Sequence, residues 1–356
     1  MLETNNEEVK KAYLVCPYDR NVNSEYQSTE LRLLAESDFY EIVKINIFQP
    51  RELNARTYFG IGKAEEIKQE IKDLGVTTVI LDAKVSGSQL RNLSEIFEAE
   101  TIDRTMLILD IFAGRAKSKE GKLQVELAKL KYSLPRLSYL GLKQEKMQGK
   151  GAGESLRDLS KRKIQDDILK LEKEIKVIQK NRDVQRKQRS YYAKSVALVG
   201  YTNAGKSSLM NVLSKAGTYA DDRLFATLDV LTKKIWDSGT EYVLTDTVGF
   251  VSNLPHELMY AFSATLDETL DSNVLLLVVD SSDEHKYEQI DVVLKEIRRL
   301  NITDDRIILV YNKIDKISQE DRDNLKEYPF TTCKISAKKQ INLDLLKKEI
   351  LNKLNS

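Results

Sequence analysis

Cysteine, histidine, tryptophan and proline are all scarce in this chain. Its 356 residues include two cysteines, two histidines, one tryptophan and five prolines. Cys16 and Cys333 lie far apart and share no ligand spacing, which argues against a disulfide framework or a Cys/His metal cluster and suits a reducing compartment. Long apolar runs are missing too. The longest, Val274 to Val279, is far too short to span a bilayer. The first eight residues are polar and acidic, so they do not read as a signal peptide. A strong overall charge is absent as well, the net being +1. These absences leave a soluble, cytoplasmic chain without a membrane span as the expectation, and a monomer is expected besides. The length suggests two or three domains with sizeable cores.

What is present begins with alternation. Ala12 to Cys16, Ile42 to Phe48 and Val76 to Leu81 read as strands, separated by helical spacing over Thr29 to Ser37 and Lys63 to Leu74, with Gly75 as a helix stop. Gln89 to Glu98 is a further helix. Strands alternating with helices predict a small parallel α/β layer. Asp103-Arg104-Thr105 opens a long helical region that Pro135 is expected to end. Tyr58 to Lys63 places Gly60, Gly62 and Lys63 before a helix. It reads as an ordinary helix start, because nothing else of a nucleotide fingerprint accompanies it.

Lys143 to Gly153 is polar and glycine-containing and reads as a surface loop. From Glu154 to about Arg189 the pattern is helical. Ile164, Ile168, Leu171, Ile175 and Ile178 form a coiled-coil seam, for which Leu123 to Tyr132 is the natural partner helix. Between residues 143 and 190, fifteen basic side chains face eight acidic ones. That excess has two readings: a solvated helical face, or attraction to a polyanion such as RNA through its phosphates.

The chemistry concentrates in the C-terminal half. Val196 to Val199 reads as a strand, Ser208 onward as a helix, and Gly200-Tyr201-Thr202-Asn203-Ala204-Gly205-Lys206-Ser207 lies between them. This is the context of a phosphate-binding loop: backbone N–H groups and a helix N-terminus face one concavity, Lys206 reaches the β/γ-phosphates and Ser207 can ligate Mg²⁺. Phe225-Ala226-Thr227-Leu228-Asp229 offers Thr227 as a second Mg²⁺ ligand that also senses the γ-phosphate. Asp246-Thr247-Val248-Gly249 ends a strand. Asp246 would hold Mg²⁺ through water, and the Gly249 N–H would meet the γ-phosphate. Lys206, Thr227 and Gly249 are thus the candidate catalytic residues.

Asn312-Lys313-Ile314-Asp315 follows the apolar run Arg306 to Tyr311. A carboxylate there can accept two N–H bonds from guanine, a donor pair adenine lacks. Ser336-Ala337-Lys338 follows Cys333 to Ile335, and its backbone can meet guanine O6. GTP and GDP are therefore the expected ligands and Mg²⁺ the expected cofactor. Asn203 makes K⁺ a second candidate ion. Phe250 stands where many related switches carry a water-orienting glutamine, which predicts slow intrinsic hydrolysis. His256 reads as a helix-start surface residue in preference to a general base, and His285 as incidental.

Taken together these motifs resemble the HflX family of ribosome-associated GTPases. The resemblance extends to Asp103-Arg104-Thr105, to Ile111-Phe112-Ala113 with Arg115-Ala116, to Glu120 through Ala128, and to Leu254-Pro255-His256 with Ala261-Phe262. It implies an N-terminal α/β domain (1–135), a glycine-containing loop and helical hairpin (136–192), and a Ras-like P-loop GTPase domain on a mostly parallel six-stranded sheet (193–356). It also implies binding to the large ribosomal subunit, through contact of the basic hairpin with rRNA, and the splitting or rescue of stalled ribosomes. Some relatives bind ATP through the N-terminal domain. Gly151 to Leu156 departs from the family's usual Gly-Pro-Gly-Glu-Thr-Gln loop. Several relatives also carry an extra C-terminal domain, whereas about twenty residues follow Lys338 here. A regulatory GTPase that acts on a protein effector is the alternative from another class. An ATP-driven RNA remodelling enzyme is a third, with no motif in its favour.

Overall fold

A computed structural model describes residues 10–18, 24–140, 152–190, 194–214, 225, 231–251 and 272–355, with 137–140, 152–160 and 182–190 described by backbone alone. The chain forms two compact units. One comprises 1–114 with 125–173, the other 115–124 with 174–356.

The first unit holds β1 (Lys10–Pro17), α1 (Ser24–Ser37), β2 (Tyr40–Phe48), α2 (Ile61–Leu74), β3 (Thr78–Leu81), α3 (Gly87–Phe97), β4 (Glu100–Asp103) and α4 (Arg104–Arg115). The four strands run parallel in the order β2-β1-β3-β4. Parallel pairing needs crossovers, and the helices supply them. Tyr13, Val15, Val79 and Leu81 pack on Phe59, Ile67, Ile71, Leu93 and Phe97 in one closed core. Gly75 ends α2 at φ +63°, its N–H returned to Ile71 and Lys72 carbonyls. A reciprocal Ser86–Gln89 capping box starts α3.

Three sequence expectations change here. Glu100 to Asp103 is a strand that sequence patterning missed; four residues, three of them polar, carry too little periodicity. The helical region after Asp103 is broken. Asp103 Oδ1 accepts from the Met106 N–H at 3.0 Å and starts α4. Ser118 Oγ accepts from the Gly121 N–H at 2.9 Å and starts a second helix, α5 (Lys119–Leu140). Pro135 does not end α5; the helix continues to Leu140. Tertiary bonds around the proline hold that turn. Tyr132 donates to Asp103, and Arg136 donates to the Val85 carbonyl at 3.1 Å and to Asp103 at 3.2 Å.

The long helix α6 (Ala152–Ser190) buries Ile168, Leu171 and Ile175, with Ile164 and Ile178 half-buried. It begins two residues before the expected Glu154; residues 143–151 lie outside the described set. A Lys131–Glu172 ion pair at 2.7 Å joins α5 to α6 within the first unit, as the seam predicted. Lys161, Arg162, Lys163, Lys170, Lys173, Lys176 and Lys180 are exposed along α6.

The second unit carries β5 (Lys194–Gly200), α7 (Lys206–Leu213), β6 (Leu231–Asp237), β7 (Thr240–Asp246), β8 (Val274–Asp280), α8 (Lys286–Arg299), β9 (Ile307–Asn312), α9 (Gln319–Asp323), β10 (Thr331–Lys334) and α10 (Leu343–Asn355). Its six strands are ordered β10-β9-β8-β5-β7-β6, with only β6 antiparallel to its neighbour. β8 and β9 are apolar nearly throughout because both their faces are covered. Val196, Leu198, Leu276, Val278, Ile308 and Val310 pack against Leu209, Met210, Leu346 and Ile350. In this arrangement β5, β7, β8 and β9 end at one edge, and the motif residues emerge there, where open parallel sheets bind ligands.

Candidate nucleotide site

The loop Gly200–Gly205 links β5 to α7. Gly205 has φ +93°, and a Cβ there would lie 2.3 Å from Asn312 Nδ2, so no other residue fits without displacing β9's end. The Asn312 amide clamps the loop from the far side. It donates to the Ala204 carbonyl at 2.9 Å and accepts from the Ala337 N–H at 3.0 Å. Thus Asn312 of the tetrad, Ala204 of the loop and Ala337 of the Ser-Ala-Lys segment are brought together by one buried side chain. Ile314 N–H donates to the Ile335 carbonyl at 3.2 Å, and Ile335 N–H to the Tyr311 carbonyl at 2.8 Å, which fixes the spacing of those two segments.

Asp315 is half-exposed and accepts from Ser336 Oγ at 2.5 Å. That bond holds its carboxyl below the usual range, so it stays ionised as an acceptor. Lys313 adopts φ +61°. Lys338 is exposed at the end of the segment.

Lys206 is 6% exposed, and Nζ donates to the Gly200 and Tyr201 carbonyls at 3.0 and 2.7 Å. Burial pushes its pKa down to about 8, with the Asp246 charge opposing. A buried ammonium bonded to neutral carbonyls gains from an anion placed beside it. Ser207 Oγ donates to Asp246 Oδ2 at 2.6 Å, and Asp246 is fully buried at the end of β7. A hydroxyl and a carboxylate this close are the hard oxygen donors Mg²⁺ takes, so these residues fit the ion. Thr247 Oγ1 donates to the Leu198 carbonyl at 2.6 Å and ties β7's end to β5.

Gly249 lies over the loop. A Cβ on it would sit 2.7 Å from Thr202 Cγ2 and 3.0 Å from Lys206 Nζ. Phe250 is held by two backbone bonds: its N–H donates to the Gly200 carbonyl at 3.1 Å, and its carbonyl accepts from Thr202 N–H at 2.9 Å. Asn203 is exposed at φ +62°. Ser208 is half-buried in α7's first turn. Phe225 is buried, while Ala226, Thr227, Leu228 and Asp229 lie outside the described residues, as does His256. His285 pairs with Glu288 at 3.6 Å. In the first unit, Lys63 pairs with Glu66 at 2.7 Å and lies 5.1 Å from the Phe48 ring centre, in keeping with an ordinary helix start.

Three family models match in series. Residues 25–113 match a GTP-binding GTPase N-terminal region, 115–189 a GTP-binding GTPase middle region, and 195–313 a 50S ribosome-binding GTPase. A GTPase HflX from Caldanaerobacter subterraneus subsp. tengcongensis is 41% identical over 91% of this chain and 76% of its own. The chain belongs to the HflX family of GTPases. The Escherichia coli GTPase HflX is 39% identical, over 81% of this chain and 69% of its own. Among solved structures, a GTP-binding protein from Sulfolobus solfataricus in complex with GDP matches with TM-score 0.50 and 26% identity, over 97% of this chain and 99% of that one. Membership in a GTP-hydrolysing family agrees with the assembled loop, tetrad and Ser-Ala-Lys segment. Sequence reasoning missed Asp280, Ser281 and Ser282 at the end of β8. Their only local signal is an acidic residue closing an apolar strand, which means little until β8 lies beside β9.

Proposed function

We propose that the chain is a GTP-hydrolysing switch that binds the large ribosomal subunit in its GTP state, leaves after hydrolysis, and so splits or rescues stalled or idle ribosomes. One observation carries the reading. The loop 200–207, the strand end at Asp246 to Gly249, the tetrad 312–315 and the segment 336–338 meet at one sheet edge, and with them goes a helix, α6, that exposes seven lysines and arginines. The match of 195–313 to a 50S ribosome-binding GTPase supports the choice of partner.

In this reading the loop 200–207 and Ser208 hold the phosphates, and Lys206 sets its charge against the β/γ-phosphates. Asp315 and the backbone of Ser336, Ala337 and Lys338 select guanine, with Asn312, Lys313 and Ile314 framing the base. Ser207 and Thr227 ligate Mg²⁺, with Asp246 acting through water. When bound, Mg²⁺ supplies charge neutralisation on the transferring phosphate. Residues 225–229 and 246–249 are the two switch segments. Gly249 contacts the γ-phosphate through its N–H, and to do so it must leave its present seat on Thr202, breaking the two backbone bonds of Phe250. No side chain at 250 can orient the attacking water, so unassisted turnover is slow. Asn203 is placed to favour a monovalent cation, and faster GTP turnover in KCl than in NaCl is expected; equal turnover removes K⁺ from the account. No helix among the described residues is long and apolar enough to cross a membrane.

Co-sedimentation tests the partner. The protein should pellet with 50S subunits in a non-hydrolysable GTP analogue and remain in the supernatant with GDP. Absence from the pellet in both states would sink the proposal. A second reading, a switch acting on a protein effector, is favoured by Leu169 and Val177, 54% and 60% exposed on α6. Salt separates the two, since phosphate contacts weaken steeply with ionic strength and apolar docking does not.

A further inference from the structure

The mouth of the site contains a bridge that the recognised motifs do not explain. Asp280 ends β8, and the parallel register sets it beside Asn312 at the end of β9. Both carboxylate oxygens are engaged. Oδ2 accepts from Lys313 Nζ at 2.7 Å; Oδ1 accepts from Ser282 N–H at 3.0 Å and Ser282 Oγ at 2.7 Å. The same Lys313 ammonium donates to the Asn203 carbonyl at 2.7 Å. Ser281, 1% exposed, donates both N–H and Oγ to the Asn312 carbonyl, at 2.9 and 2.5 Å.

The bridge therefore joins two residues with left-handed backbones, Asn203 at φ +62° and Lys313 at φ +61°. Such conformations persist where surrounding bonds over-determine them. One ammonium adds to the backbone bonds from Lys316 N–H to the Lys313 carbonyl and from Ala204 N–H to the Tyr201 carbonyl, and Asp280 fixes the ammonium. The Lys313 and Asp280 side chains are 19% and 15% exposed. At that depth solvent screens a charged pair much less than on an open surface.

We propose that Asp280 is a positioning residue for nucleotide binding. By holding Lys313 against Asn203, it locks the guanine-reading tetrad to the phosphate loop before ligand arrives, so that base and phosphate contacts form together. Without the carboxylate, the ammonium is free to leave Asn203; the Asn312 amide still holds the Ala204 carbonyl, but one of the two ties is lost and binding has to order more of the site. The inference rests on the guanine-nucleotide reading of the site.

The test uses the full chain and a fluorescent GDP analogue. Asp280→Asn should release it about tenfold faster, the loss expected for one charge-assisted hydrogen bond. Asp280→Glu, which keeps the charge, should recover part of the loss. Lys313→Met should also speed release, and adding Asp280→Asn to it should change little further. Additive effects, or release from Asp280→Asn within about twofold of the unsubstituted protein, would overturn the role. So would a lowered urea midpoint of the nucleotide-free protein with release unchanged, the mark of a purely structural carboxylate. Asp315→Asn is the control and should move preference from guanosine to xanthosine nucleotides. If that variant keeps full GDP affinity, the guanine reading itself fails. A normal control beside a neutral Asp280→Asn removes only the Asp280 role.

Discussion

Each unit of the molecule buries a cation at the C-terminal edge of a parallel sheet, and the two cations are neutralised differently. In the first unit Arg104, at the start of α4, is 6% exposed. It donates to Glu30 of α1, and to Asp82 just beyond β3 at 3.2 Å. Two buried carboxylates answer one guanidinium. Burial raises the Asp82 carboxyl above its ordinary range although Arg104 pulls it down, and it drives the nearby Cys16 thiol upward. In the second unit Lys206 is equally buried, but its hydrogen bonds go to two backbone carbonyls. In the first cluster three elements are pinned by side chains of opposite charge. The second keeps an ammonium whose bonded partners are neutral, beside a loop of N–H groups. A buried charge paired with carboxylates holds a fold together; one whose hydrogen bonds go to dipoles, with the Asp246 charge nearby, is prepared for a ligand.

Substitution sharpens that contrast most strongly at Arg104. Arg104→Ala leaves Glu30 and Asp82 buried without their cation, which should cost about 3–5 kcal/mol of stability. Lys206→Ala should do the reverse. It removes a buried charge that desolvation disfavours, so the nucleotide-free protein should be as stable as before or more so, while GDP affinity falls by about two orders of magnitude or more. Urea unfolding and GDP titration of both variants measure the two quantities. Equal destabilisation by both substitutions would erase the distinction.

The same contrast explains what could be read from the sequence. The nucleotide site is built from short contiguous motifs, each at a strand end, so Gly200 to Ser207, Asp246 to Gly249 and Asn312 to Asp315 announce themselves without a fold. Apolar runs such as Val274 to Val279 likewise declare buried parallel strands. The first unit's charged cluster is assembled from residues 30, 82 and 104, and no spacing in the chain links them. β4 was hidden by its shortness. The break before α5 was hidden because Arg115 to Lys122, with Ala116 as its one apolar residue, carries no periodicity to mark a helix end, leaving the Ser118 cap as the local signal. Pro135 misled because a local rule about missing N–H donors met tertiary bonds from Tyr132 and Arg136 that hold the turn. Within the site itself, the tie made by Asp280 was hidden as that of Arg104 was: Lys313, like Glu30 and Asp82, comes from a distant part of the chain.

A smaller effect follows from Lys206's titration. With its pKa lowered to about 8 from an ordinary lysine's 10.5, the nucleotide-free folded state gives up this proton earlier than the unfolded chain does. Below pH 8 both states carry it, and the fold bears the full cost of a buried ammonium. Between pH 8 and 10.5 the unfolded state binds more protons, so this group's contribution makes stability rise with pH across that window. Bound phosphates favour the ammonium and return the pKa upward, so above about pH 8 GDP binding must take up a proton. GDP affinity should therefore fall as pH rises through about 8. Calorimetric titrations at about pH 9 in two buffers of different ionisation enthalpy should show uptake approaching one proton. Arg104 is permanently charged and offers no such signal. Affinity that stays level from about pH 7 to about pH 9.5 would mean that the ammonium is already balanced before ligand arrives, and the two buried cations would then be alike.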